Sequence, residues 1–190
     1  MSEVRGLNAS IRASLKEEIS TNPVWANGKW IRTEKGINKL SNEDRVRVLA
    51  SEIDDVFSPL SIPQKGQVFR QTEEGLADDK KRYEKRPLVD ATGKPISFEQ
   101  GRAEYVAAVK EAKLEHDKAA RKIEDERDWD GVKGESTTRT SYVKIGSSVF
   151  QFNWKIESET NYEPEDPGER TAYYYDTLRL RVDPKAIKLA

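Results

Sequence analysis

Residues 97 to 129 run SFEQGRAEYVAAVKEAKLEHDKAARKIEDERDW. They contain no proline, a single early glycine at Gly101 and an apolar stripe set in dense mixed charge, which predicts one long helix of about 48 Å at the usual rise per residue. Ser97 with Gln100 three residues on makes a capping box at its start. Tyr105, Val109, Ala112, His116, Ala119 and Ile123 then recur at alternating four- and three-residue steps, the pattern of a coiled-coil seam, and Val106 and Ala120 widen it on one side. Leu114 points away from that seam. A rod with a narrow seam suits packing on a partner better than shaping a catalytic pocket. The seam residues, with Trp129 at the far end, are therefore the expected protein-contact element, reaching another chain of the same or a different kind.

The helix sits between two regions of different character. On its N-terminal side, Val4, Leu7, Ile11, Leu15 and Ile19 predict an amphipathic helix over residues 3 to 20. The Asn27-Gly28 pair predicts a two-residue hairpin turn that sets Trp25 opposite Trp30 and Val24 opposite Ile31. Ser41 with Asp44 starts a further helix ending at Ser58-Pro59, residues 59 to 66 read as loop, and Gln67 to Gln71 reads as a short strand. From Thr72, acidic Glu73 and Glu74 and then basic residues toward Arg86 fit the dipole of a helix that Pro87 ends. The long helix would pair with this one.

On the C-terminal side the period changes to two. Tyr142 to Ile145, Val149 to Glu157 and Thr171 to Val182 read as three antiparallel strands, joined by a turn at Gly146 to Ser148 and by an acidic loop from Glu159 to Arg170. The expected fold is α+β: N-terminal helices and a Trp hairpin (1–71), a charged helical pair (72–135) and a C-terminal three-stranded antiparallel meander (136–190), packed as one unit with a projecting helical element.

Composition narrows the chemistry. The 190 residues carry 33 basic and 34 acidic side chains for a net charge of -1, and no cysteine, which removes disulfides, zinc thiolates and thiol nucleophiles. Leu, Ile, Val and Phe make up about a fifth of the chain, a modest core, while the balanced charge argues against disorder. No run approaches the roughly 20 apolar residues of a membrane span, and the N-terminal turns, with Glu3 and Arg5, lack an apolar signal core. The expectation is a soluble cytoplasmic protein that makes no membrane contact, with a virion as the other setting.

No catalytic motif is intact. His116 is the single histidine and no Gly-x-Ser-x-Gly elbow accompanies it. Thr92-Gly93-Lys94 lacks the earlier glycine of a phosphate loop, and Pro95 removes an amide donor. Asp90 with Glu111-Ala112-Lys113 would need a strand for nuclease geometry and lies on a predicted helix. The acidic run from Glu124 to Asp130 reads as a solvated tip or protein-contact patch rather than a metal site.

The function expected from these residues is non-catalytic protein binding or assembly without a cofactor or metal, of a kind that suits a phage or mobile-element accessory or virion protein. The alternative is a nucleic-acid-binding module using Lys155, Tyr173, Tyr175, Arg179 and Arg181 on one face of the C-terminal sheet. Against it, residues 136 to 190 hold 8 basic and 8 acidic side chains, which leaves no positive field. A carboxylate and metal-dependent hydrolase ranks third.

Overall fold

The computed structural model describes residues 2 to 62, 72 to 164 and 172 to 190, and the side chains of all of these except 2, 162 to 164 and 172 to 175. The fold is α+β, with five helices and a mostly antiparallel sheet among the described residues. The expected strand at Gln67 to Gln71 lies outside them.

Helix α1 (Ser2–Ile19) buries Ile11 and Leu15 and leads into the hairpin β1 (Val24–Ala26) and β2 (Lys29–Ile31). Val24 pairs with Ile31, Trp25 with Trp30 and Ala26 with Lys29. Asn27 and Gly28 turn the chain at φ 50 and 76, the left-handed conformation that a tight hairpin of this hand demands. A short helix α2 (Glu34–Lys39), capped by Thr33, follows and was not foreseen. Helix α3 (Asn42–Phe57) starts where the Ser41 hydroxyl accepts from the Asp44 amide, and a 3-10 turn at Ser58–Leu60 ends it. Helix α4 (Glu73–Lys85) is capped by Thr72.

Strand β3 (Leu88–Val89) links α4 to helix α5 (Phe98–Ala120), capped by Ser97. With 23 residues α5 spans about 35 Å, shorter than expected, and stops at Ala120 instead of Trp129. Past Ala120 the amides of Lys122 and Ile123 close tight turns onto Ala119 and Ala120. Asp125 then accepts from the Arg127 amide and starts a separate 3-10 turn at Glu126–Asp128. Acidic residues crowd the negative end of the helix dipole there, and an aspartate that can cap a new turn competes with continued helix.

Gly131, at φ 77, reverses the chain into β4 (Lys133–Glu135), and β5 (Arg139–Ile145), β6 (Ser148–Pro164), β7 (Ala172–Val182) and β8 (Lys188–Leu189) complete the sheet with β3. β6 is the spine. β5 pairs with its residues 148 to 154 and β4 with 157 to 159 along one edge, while β7 and β8 take the other. From Glu135 opposite Glu157 to Arg139 opposite Trp154 the chain takes four steps against three, a one-residue bulge that separates β4 from β5. The stretch expected as an acidic loop from Glu159 is strand through Pro164, since β7 pairs with it residue by residue; residues 165 to 170 lie outside the described residues.

One face of β6, Phe150, Phe152, Trp154 and Ile156, is buried with residues of α1, α3 and α5 in a single hydrophobic cluster drawn from all three sequence regions. Phe57 meets Trp154 at 4.9 Å, Phe152 at 5.9 Å and Tyr105 at 6.3 Å, and Tyr105 stacks on Trp154. The long helix therefore lies across the sheet. β4 approaches it so closely that a Cβ on Gly134 would overlap the His116 nitrogen and the Ala112 carbonyl.

Two glycine substitutions should have opposite signs. Gly134→Ala drives a methyl into the α5 backbone and should lower stability by about 1–3 kcal/mol. Gly6→Ala, in α1 with nothing nearby, should raise it by about 0.5–1 kcal/mol. Urea unfolding of the two variants beside the parent chain measures both.

Candidate functional site

The Asn27-Gly28 turn decides which residues of the hairpin face outward. Cross-strand partners share a face, so burying Val24 and Ile31 forces Trp25 and Trp30 to the other side. They remain 50% and 55% exposed, packed edge to face with ring centres 5.0 Å apart. Beside them lies a cleft of about 600 Å³ between the hairpin, the end of α1, the last turns of α3 and the last turns of α4. Pro23, Val56 and Pro59 supply its apolar wall.

Its floor is an ion triad. Arg86 contacts Glu18 of α1 through Nη2 and Glu52 of α3 at 2.9 Å through Nη1. Both carboxylates are only 13% exposed. The Tyr83 hydroxyl donates to the Ile96 carbonyl at 3.1 Å and accepts from the Leu88 amide at 3.2 Å, tying the end of α4 to β3. One guanidinium shared by two carboxylates leaves Glu52 short of positive charge. Burial, and then the charge of Asp55, push its carboxyl up to about 7. Arg82 donates to Asp79 and Ser58, and its charge also acts on Asp55, whose carboxyl burial nonetheless pushes up. Lys85 also lines the cleft and is exposed.

The expected protein-contact seam lies elsewhere in the fold. Tyr105, Val109, Ala112 and His116 are buried within the chain's own core, which corrects the expectation that they face a second chain. The reason is that an alanine-rich seam lets β4 and β6 approach the helix closely. Ala119, Ile123 and Trp129 are half-buried near the end of α5. Leu114 is exposed.

His116 is 4% exposed, and its Nε2 lies 2.6 Å from the Thr160 hydroxyl, which in turn donates to Asp176 at 3.0 Å. A hydroxyl has one proton, so with Asp176 accepting it the imidazole Nε2–H must donate to Thr160. The order is imidazole, hydroxyl, carboxylate. A nucleophile activated by histidine needs the imidazole in the middle, with a free lone pair on the ring nitrogen that faces the hydroxyl to take its proton, so this cluster clamps α5 to β6 and β7 rather than preparing a nucleophile.

On the open sheet face, Lys155 donates to Glu135 at 2.5 Å and Arg181 to Glu157 at 3.1 Å, with Lys133 3.8 Å from Glu157 and Arg179 opposite Glu157 in register. Burial works against ionised Glu157, but Arg181, Lys133 and Lys155 outweigh it and hold its carboxyl below the ordinary range. The face is a neutralised ladder, not a positive stripe. The side chains of Tyr173 and Tyr175 lie outside the described residues. Glu124 to Asp130 does not form the helical pairs that could have shared an ion, and among the described residues no three His, Asp or Glu side chains converge as metal ligands. No described helix is long and apolar enough to cross a membrane. No family model, curated protein or solved structure matches the chain.

Glu52 gives the cleft a pH signature. The folded chain holds its proton up to about 7 while an unfolded one releases it near 4.5, so this carboxyl's contribution is fully present below pH 4.5 and is lost as pH rises through 7. Urea unfolding between pH 5 and pH 8 should show a loss on the order of 1–3 kcal/mol that Glu52→Gln abolishes. A parallel pH slope in parent and variant would refute the assignment.

Proposed function

We propose that the chain is a non-catalytic protein-binding or assembly component and that its contact surface is the cleft beside Trp25 and Trp30. The observation that carries this is the exposed indole pair. A core of modest size leaves two of its four tryptophans half in solvent, side by side, at the lip of a concave surface. Exposed aromatic side chains with an adjacent arginine and a pocket are the composition in which binding energy concentrates at protein interfaces. The long helix, expected from its spacing to make this contact, spends its seam on the internal core. Support for the nucleic-acid alternative is weaker, because most of the cations it would use are paired with Glu135 and Glu157.

Truncation should separate binding from folding. With immobilised protein and an extract of the organism that encodes it, Trp25→Ala with Trp30→Ala should reduce recovery of a stoichiometric protein partner by about thirtyfold, the loss expected at an interface hot spot. Stability should change by no more than about 1.5 kcal/mol, the worth of the aromatic pair itself. Leu114→Ala, at an isolated exposed position, should bind normally. Equal recovery by the double variant would refute the proposal.

A further inference from the structure

We infer that the cleft beside Trp25 and Trp30 receives an uncharged, proline-rich segment of the partner protein, held in the left-handed polyproline conformation. This rests on the reading of the cleft as a protein-contact surface and names the kind of chain that enters it.

Three features of the cleft select that occupant. The first is charge. The lining carries the carboxylates of Glu18, Glu52 and Asp55 and the cations of Arg82, Lys85 and Arg86, equal in number, so it has no excess charge for an ionic ligand to meet and matches a segment of net charge zero. The second is the supply of hydrogen bonds at the aromatic lip. Neither indole N–H of the half-exposed pair has a partner among the described residues, which leaves two donors beside the apolar wall of Pro23, Val56 and Pro59. A proline residue brings a carbonyl acceptor and no amide hydrogen, so a run of prolines can accept from the indoles without stranding donors of its own against that wall. The third is shape. The two rings meet edge to face with their planes at 72°, and an edge-to-face pair forms a re-entrant corner bounded by a face of each ring. A polyproline helix repeats every three residues and is triangular in section, with a ridge angle of roughly 60°, so one ridge can enter the corner and lay a pyrrolidine ring on each indole. Such a chain is already stiff before it binds and loses little conformational entropy, which suits it to an open cleft with limited apolar area.

The test uses the whole chain and the indole N–H signals of Trp25 and Trp30, assigned with Trp25→Phe and Trp30→Phe. The probes are acetylated, amidated octaproline and the same peptide with alternate residues of D configuration, which keeps the composition and cannot form the left-handed helix. Octaproline should move both indole signals in the direction of hydrogen-bond formation, and the mixed-chirality peptide should bind about tenfold more weakly. Octaproline affinity should stay the same from low to high salt, because neither side contributes net charge. Trp25→Phe and Trp30→Phe keep an aromatic ring and remove one donor each, so each should weaken binding severalfold with the fold intact. Equal binding of the two peptides overturns the inference and leaves the cleft as a general apolar contact surface. So does an absence of indole shifts at millimolar octaproline, while the extract experiment judges the binding role separately. Indole shifts given by an arginine-containing peptide or a single-stranded oligonucleotide and not by octaproline would assign the cleft a charged occupant and sink the proposal.

Discussion

The contact of Phe57 with Trp154, Phe152 and Tyr105 is the constraint on which the rest of the molecule depends. It fastens the end of α3 and the middle of α5 to the spine of the sheet through aromatic faces that bury large areas and tolerate few alternative geometries. Trp154 is satisfied at its polar end, its indole nitrogen donating to Ser141 at 2.8 Å, while Arg139 lies over its ring. Once Phe57 is fixed, Glu52 and Asp55 are carried to the opposite side of α3, away from the sheet. The carboxylate floor of the cleft is thus a consequence of core packing, set by helical spacing from an aromatic anchor.

Charge plays two different parts. Most of the ion pairs, such as Arg47 with Glu43 on α3 or Lys80 with Glu99, are solvent-exposed and screened by water, so each adds little to stability. The triad of Glu18, Arg86 and Glu52 is different because it is largely desolvated and joins α1, α3 and α4. Buried ion pairs of this kind rarely add much stability over an apolar replacement, since the cost of removing the charges from water offsets their attraction. What the triad does is fix the relative placement of three helices around the Trp hairpin.

The local elements were legible wherever short-range chemistry governs them. Asn27-Gly28 sets the hairpin register, the hydroxyls of Ser41, Thr72 and Ser97 start three helices, and alternation marks the buried face of β6. What escaped was governed by tertiary context. The apolar seam of α5 has the same spacing whether it meets another chain or its own sheet, so periodicity could not tell Val109 in a core from Val109 in an interface. β4 has no alternation because Gly134 must be bare to pass the helix backbone. The long β6 was hidden by its acidic composition past Glu159, where pairing with β7 overrides weak strand propensity.

The tryptophan cleft was missed for a related reason, although one signal was present. Both faces of the hairpin are apolar, Val24 with Ile31 on one and Trp25 with Trp30 on the other, and a two-stranded ribbon at the surface can bury only one. The smaller β-branched pair goes inward because Ile31 must lie close over Gly36 at the start of α2, where there is no room even for an added methyl, let alone an indole. The larger pair is left outside, half exposed among the described residues. Core geometry at Gly36 thus determines that the exposed side of the hairpin is aromatic, and this is the apolar area that the proposed contact would cover.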